Sequence, residues 1–379
     1  MGKEGVFLKK IVYISDLDIS GSGYFSLSIP LCQGLSEKGY DVRVIGLGNS
    51  GQEHNFDFSI IPVKNLKEAS GVIQNLWNNW RFDVCIISMD IPIQEKFLQS
   101  FQNRPFKYVG IMPVESDPLC MSWAMVLNQM DKALIISQFG TDDARKAGVD
   151  ADHIQLGIDT NSWRIPLPEE RKALRDNMGF SDDDFVVLTV ADSQERKNLS
   201  HAMDIIKGFS EKADNVKYVL VTREHNPVGW KLRDYATEIG IGDKLMIFER
   251  GMDFKRLWGI YASSDAFLLS SKAEGYGIPV TEAMAVGIPV LATNCCGMRE
   301  QLLDDRGILV DYDYIHRDPY GNGRRYWIDR KDAAKKLYSV YKNRHRQNEM
   351  IQRARNYVEA RSWDIAVDTL YNAVEKVCE

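Results

Sequence analysis

The chain has 379 residues, an ordinary apolar share of 44% and a formal net charge of −6. That length exceeds one ordinary domain and suits two of roughly 150–200 residues, each able to bury its own core. The acidic balance argues against dedicated nucleic-acid binding, and no apolar run approaches the ~20 residues that cross a bilayer.

The six cysteines show no paired spacing, and the neighbours Cys295 and Cys296 are poorly placed to bridge. They read as reduced thiols of a cytoplasmic protein. The histidines (His54, His153, His201, His225, His316 and His345) are scattered without ligand spacing, so no metal is expected. Asp182, Asp183 and Asp184 precede an apolar run and read as a solvated turn. Oligomeric state and peripheral membrane contact are left open.

Residues 1–8 read as a loose leader without a signal-peptide core. A buried-type strand is predicted over 10–15, a polar loop with Gly21 and Gly23 over 16–23, a helix over 24–38 and a strand over 41–46, which is a βαβ unit. The glycine loop lies where open α/β sheets bind ligands, at the carboxyl end of the first strand. It is not a dinucleotide fingerprint, because Gly-x-Gly-x-x-Gly is absent. Strands follow over 58–63, 84–88 and 108–112, with helices over 66–80 and 93–101 between them. Glu115 and Asp117 come after the third of these, and Asp90 ends the second. Each acid suits sugar contact or proton handling, though the plain role of capping a turn is the default reading for each.

A helix over 123–130 feeds a strand over 132–136, and Ser137 caps the next helix, which ends by Gly148. Asp159 reads as a turn former, and Pro166 and Pro168 mark a linker over 163–168. Alternation then restarts with a strand over 185–191, a helix over 198–211 and a strand over 217–222. Arg196 and Lys197 precede a helix start, against the dipole preference, a conflict that a diphosphate would resolve. A helix over 230–240, a strand over 244–248, a turn with Arg250 and Gly251, and a helix over 253–264 come next.

The stretch over 270–294 organises the rest. An apolar strand ends at Ser270, a loop carries Gly275 and Gly277, Pro279 opens a short helix, Gly287 stops it, and a second strand covers 289–293. A helix start after a glycine loop offers unpaired N–H groups to a phosphate. Glu274 and Glu282 frame that loop, and carboxylates accept from hydroxyls, so a ligand with phosphates and hydroxyls would use the whole set. An ordinary α/β turn with an acidic first helical turn is the plain alternative. After it come a helix beginning near 296, a strand over 307–311 that reads as the last, and an aromatic and arginine-bearing excursion over 312–327 turning at Asn322-Gly323. The excursion reads by default as a surface hairpin, with a hairpin at the rim of the cleft as the alternative, and everything from 329 onward as helical.

Glu274-Gly-Tyr-Gly-Ile-Pro-Val-Thr-Glu282, followed by Ala-Met-Ala-Val-Gly-Ile-Pro-Val290, resembles the signature of the retaining glycosyltransferases of family 4. The resemblance implies an α/β fold of GT-B architecture, two Rossmann-like domains facing a cleft with a C-terminal helix crossing back to the first. The expected boundaries are 1–165, completed by about 364–379, and 166–363. It implies a nucleotide diphosphate sugar as donor, an unidentified hydroxyl-bearing acceptor, and no cofactor or metal. Glu274 would hold the donor sugar, Glu282 the ribose, and the amides of Gly275, Tyr276, Gly277 and Ile278 the sugar and phosphates. Arg196 and Lys197 would neutralise the diphosphate, Gly23 would lie against it, and Arg250 and Gly251 would pack on the base. The histidine that the family carries near residue 115 is absent, leaving Glu115, Asp117 and Asp90 as candidate bases. An arginine expected earlier in the 192–198 loop is also absent. A non-catalytic nucleotide-sugar binder and another enzyme of the same fold, an epimerase or phosphorylase, are the alternatives; a nicotinamide oxidoreductase lacks its fingerprint.

Overall fold

The structure, a computed structural model, describes residues 9–18, 23–101, 103–227, 229–343 and 347–379. The expected leader, Gly21 and His345 lie outside these. The chain divides into two compact units, one of Met1–Val114, Leu119–Gly157 and Ser362–Glu379, the other of Glu115–Pro118 and Ile158–Arg361.

The first unit is built on seven parallel strands: β1 (Lys10–Asp16), β2 (Asp41–Leu47), β3 (Ser59–Val63), β4 (Val84–Ser88), β5 (Lys107–Met112), β6 (Lys132–Ile135) and β7 (Ala151–His153), in the order β3-β2-β1-β4-β5-β6-β7. Every residue of β4 and five of the seven in β1 are buried, as expected of strands covered by helices on both faces. β7 has three residues, too few to show a periodic signal, and was not foreseen in the sequence.

The helix Trp363–Cys378 belongs to this first unit. It lies so close to the helix Gly23–Glu37 that a Cβ on Gly34 would fall 2.3 Å from a methyl of Val367. Lys38 pairs with Asp368 at 2.6 Å, and Tyr40 stacks on Tyr371 at 5.5 Å. Gly34→Val should therefore destabilise the first unit by about 1–3 kcal/mol through overpacking. Urea unfolding measures this, and a variant as stable as the parent would contradict the close packing.

In the second unit, β8 (Phe185–Val190), β9 (Val216–Thr222), β10 (Leu245–Glu249), β11 (Ala266–Leu269), β12 (Val290–Thr293) and β13 (Ile308–Val310) form a parallel sheet ordered β10-β9-β8-β11-β12-β13. Both sheets are doubly wound, and the strand order of the second reverses between β8 and β11. At such a switch point the loops leaving two adjacent strands diverge and open a crevice at their carboxyl ends. The helix Ile278–Val286 is apolar apart from Thr281 and Glu282 and buried throughout its last seven residues, as a central helix should be. Trp163, in the stretch read as linker, meets Phe254 and Tyr261 edge-on at 5.0 and 5.3 Å within this unit.

Two readings of the sequence need correcting. The strand at 308–310 is not the last: an antiparallel hairpin follows, β14 (Tyr312–Arg317) and β15 (Arg324–Ile328). Nor is the hairpin wholly on the surface. β14 is exposed along most of its length, but Arg325 and Tyr326 of β15 are buried, because acidic and carbonyl partners surround them. Helix Pro168–Asn177 was also unforeseen; its Arg171 and Arg175 both ion-pair with Asp265 ahead of β11.

Candidate functional site

The site is assembled at the switch point of the second sheet. After β8 the chain makes a tight 3-10 turn, Glu195–Lys197, and Asn198 takes a left-handed φ of 55° before the helix Leu199–Ser210 starts. After β11 the glycine loop runs to Gly277, whose φ of 97° favours glycine and begins the helix Ile278–Val286. Hydrogen bonds stitch the two loops together. Lys272 N donates to Arg196 O at 2.9 Å, and Ser270 Oγ to Asn198 O at 3.0 Å. Arg196 Nη1 returns a bond to Ala273 O at 2.6 Å.

These links bring Arg196 and Lys197 onto Glu274. Lys197 Nζ donates to Glu274 Oε1 at 2.6 Å, Arg196 Nη1 to Oε2 at 2.9 Å, and Ser271 Oγ to Oε1 at 2.6 Å. Burial opposes charge on Glu274, but Lys197 and Arg196 outweigh it and hold the carboxyl at about 2, below its ordinary 4.5. Burial, reinforced by Arg196, lowers Lys197 against the pull of Glu274. Glu115 joins the cluster, with Oε1 2.9 Å from Arg196 Nη2. The result is a half-buried pair of cations on a buried carboxylate, beside the start of a helix whose first N–H groups lack intrahelical acceptors.

Glu282 lies elsewhere in the same unit's site. It accepts from Tyr261 Oη at 2.6 Å, and burial raises its carboxyl to about 7 despite that bond and the charge of Arg250. Arg250 follows β10, donating its N–H to Thr222 O at 3.1 Å, and Gly251 has φ 84°. Asp192, in the place where the arginine was missed, is buried and carries the ion pairs of Arg223 and, at 4.0 Å, Arg250. Burial opposes its charge, yet Arg223 and Arg250 hold its pKa below the usual range. The carboxyl ends of β8, β9 and β10 are thus tied by one carboxylate and two guanidiniums.

Several participants escaped the sequence reading. Gln301 donates to Tyr276 O at 2.6 Å and accepts from Thr281 Oγ1 at 2.6 Å, fixing the loop shape. Gly297 N donates to Glu274 O at 3.0 Å, and a Cβ there would lie 2.7 Å from Tyr276 Cα. Tyr276 itself is buried within the loop. Ser271, Arg223 and Arg325 are the others, and nothing in their local spacing marks them. Asp117 accepts from Tyr326 Oη at 2.7 Å. In the first unit, Asp90 accepts from Tyr24 Oη at 2.6 Å, and Gly23 is the first residue of its helix. Among the described residues no group of three or more His, Cys, Asp or Glu could hold a metal ion, and no helix is long and apolar enough to cross a membrane.

Two doubly wound parallel sheets in succession, the second with a cationic pair and a glycine loop at its switch point, define a protein of GT-B architecture. A glycosyltransferase of Rickettsia africae has the same fold, with TM-score 0.76 at 16% identity over 98% of this chain and 99% of that one. Anabaena HepE, solved with UDP-glucose, gives 0.76 at 14% identity over 97% and 99%. Residues 170–357, in the second unit, match the Glycosyl transferases group 1 family. A D-inositol 3-phosphate glycosyltransferase of Xylanimonas cellulosilytica is 29% identical over 178 residues, 45% of this chain and 42% of that protein. The first curated relatives are thus matched over about two-fifths of their own length.

Proposed function

We propose that this protein transfers a sugar from a nucleotide diphosphate sugar to a hydroxyl-bearing acceptor, with retention of anomeric configuration and without a metal. The carrying observation is the Arg196–Lys197 pair held on the buried Glu274 beside the glycine loop. In the transfer, the bond from the anomeric carbon to the diphosphate oxygen breaks and its electron pair leaves with the diphosphate. Arg196, Lys197 and the amides at residues 275–278 are the groups available to meet that charge. Glu274, ionised throughout the physiological range, is an acceptor for sugar hydroxyls. Relatives named as glycosyltransferases, and a neighbour of the same fold solved with UDP-glucose, support the donor class. The six free cysteines support a reducing compartment, and we propose the cytoplasm.

A thermal-shift panel of UDP, GDP, ADP and their common sugars tests the reading. A nucleotide at 100 times its dissociation constant should add roughly 2.7 kcal/mol to the native state. One base should stand out, and the same donor should then support transfer in excess EDTA. No shift with any nucleotide would overturn the donor site, and loss of transfer in EDTA, restored by Mg²⁺, would overturn metal independence.

A further inference from the structure

We propose that Arg325, on the hairpin strand β15, is a positioning residue that shares Glu115 with Arg196 and so leaves the Arg196 guanidinium available to the donor's diphosphate. The inference rests on the glycosyltransfer reading and adds a part to its site.

Arg325 is 1% exposed, an expensive place for a guanidinium unless charges and hydrogen bonds surround it. It has them. Its Nε pairs with Asp318, its Nη1 donates to Ser116 Oγ at 3.2 Å, and its Nη2 lies 3.9 Å from Glu115 Oε2. The other oxygen of Glu115 is 2.9 Å from Arg196 Nη2, and Arg196 Nη1 is 2.9 Å from Glu274. One carboxylate therefore stands between a guanidinium of the site and a guanidinium of the hairpin.

The hairpin is anchored on both sides of this relay. Arg324 N donates to Asp117 O at 3.0 Å and Tyr326 Oη to Asp117 Oδ1 at 2.7 Å, while Tyr326 N donates to Lys272 O at 2.8 Å. Gly323 has no room for a side chain, since a Cβ would lie 1.8 Å from Ser116 Oγ. Trp327 covers the buried Lys272, whose Nζ is 3.5 Å from the ring centroid. Strand β15 thus grips residues 115–118 and the start of the glycine loop at once.

The electrostatic consequence follows from counting charges. Removing Arg325 takes one guanidinium away from Glu115, and an incoming diphosphate would then compete with more of the carboxylate's charge for Arg196. With Arg325 present, Glu115 divides its attraction between the two, and Arg196 turns to phosphate at lower cost.

Calorimetric titration of the nucleoside diphosphate that stabilises the wild type provides the test, on Arg325→Met, Arg325→Lys, Glu115→Gln and the double variant Arg325→Met/Glu115→Gln. Arg325→Met should weaken binding by roughly tenfold. Arg325→Lys, which keeps the charge but loses the fork that meets Asp318, Ser116 and Glu115 together, should weaken binding by less than Arg325→Met. In the double variant, Glu115 no longer holds Arg196, so affinity should return to that of Glu115→Gln. A simple packing role predicts instead that the double variant is at least as weak as Arg325→Met, and that result overturns the proposal. So does wild-type affinity in Arg325→Met. If Arg325→Met does not fold, Arg325→Gln, uncharged but able to donate to Ser116, takes its place in the same comparison. Absence of binding to the wild type itself sinks the glycosyltransfer reading, a different outcome from wild-type binding that the variants leave unmoved.

Discussion

Glu274→Gln should lose transfer activity by roughly 10²–10³-fold, the usual cost of removing one preorganised polar group from a reacting site. The loss should appear in kcat, because the carboxylate sets the positions of Arg196 and Lys197 at 2.9 and 2.6 Å and, on the proposed reading, would receive sugar hydroxyls. The same substitution carries a stability signature. The folded-state pKa is depressed from 4.5 to about 2, so the contribution is complete above the unfolded value and disappears as pH falls through the folded one. Integrated over that window, it amounts to roughly 3 kcal/mol at neutral pH. Glu274→Gln should therefore be less stable than wild type by about this amount at pH 7, with the gap closing between pH 4.5 and pH 2. Denaturant titrations across that range measure it, and a gap independent of pH would show that the carboxylate is not held by its two cations.

Glu282 has the opposite sign. Its folded-state carboxyl is raised from 4.5 to about 7 by burial, so the folded chain keeps a proton that the unfolded chain releases. Stability is unaffected below pH 4.5, falls as pH rises towards 7, and above 7 carries a deficit of roughly 3 kcal/mol. Glu282→Gln retains an acceptor for Tyr261 and should gain on the order of 2–3 kcal/mol at pH 8 while gaining nothing at pH 4. Nucleotide binding should show the reverse. Ribose hydroxyls are donors and favour the ionised carboxylate, so if Glu282 holds the ribose, as the family resemblance implies, wild-type affinity should rise through pH 7 with proton release. The glutamine variant should bind more weakly and with a flat pH profile. Calorimetry in two buffers of different ionisation heat reads the proton directly; binding without proton release at pH 6.5 would separate Glu282 from the ribose.

The parallel sheets were legible because buried strands write themselves as continuous apolar runs, as in Val84–Ser88 and Phe185–Val190. The glycine loop was legible for a different reason: a left-handed turn, a proline-started helix and a glycine stop demand particular residues in fixed order. What joins distant segments was not. Gln301 and Gly297 shape the loop from a helix three elements later, and each is unremarkable where it stands. Asp192 read only as the absence of an arginine, because Arg223 and Arg250, which flank it in space, are 31 and 58 positions on in the numbering. The hairpin read as surface because Arg324-Arg325 looks solvated in sequence; burial of Arg325 depends on carboxylates that no local window contains.

The first unit closes only with Ser362–Glu379, after the whole of the second unit has been specified by the chain. During synthesis, then, the sheet β1–β7 emerges early but waits for its last helix until residues 362–379 have been made. The groove along Gly23–Glu37 that Val367 and Tyr371 later fill stays open to water and to other chains. The second unit, apart from Glu115–Pro118, is continuous in sequence and carries no such delay. Chaperone demand should fall on the half made first.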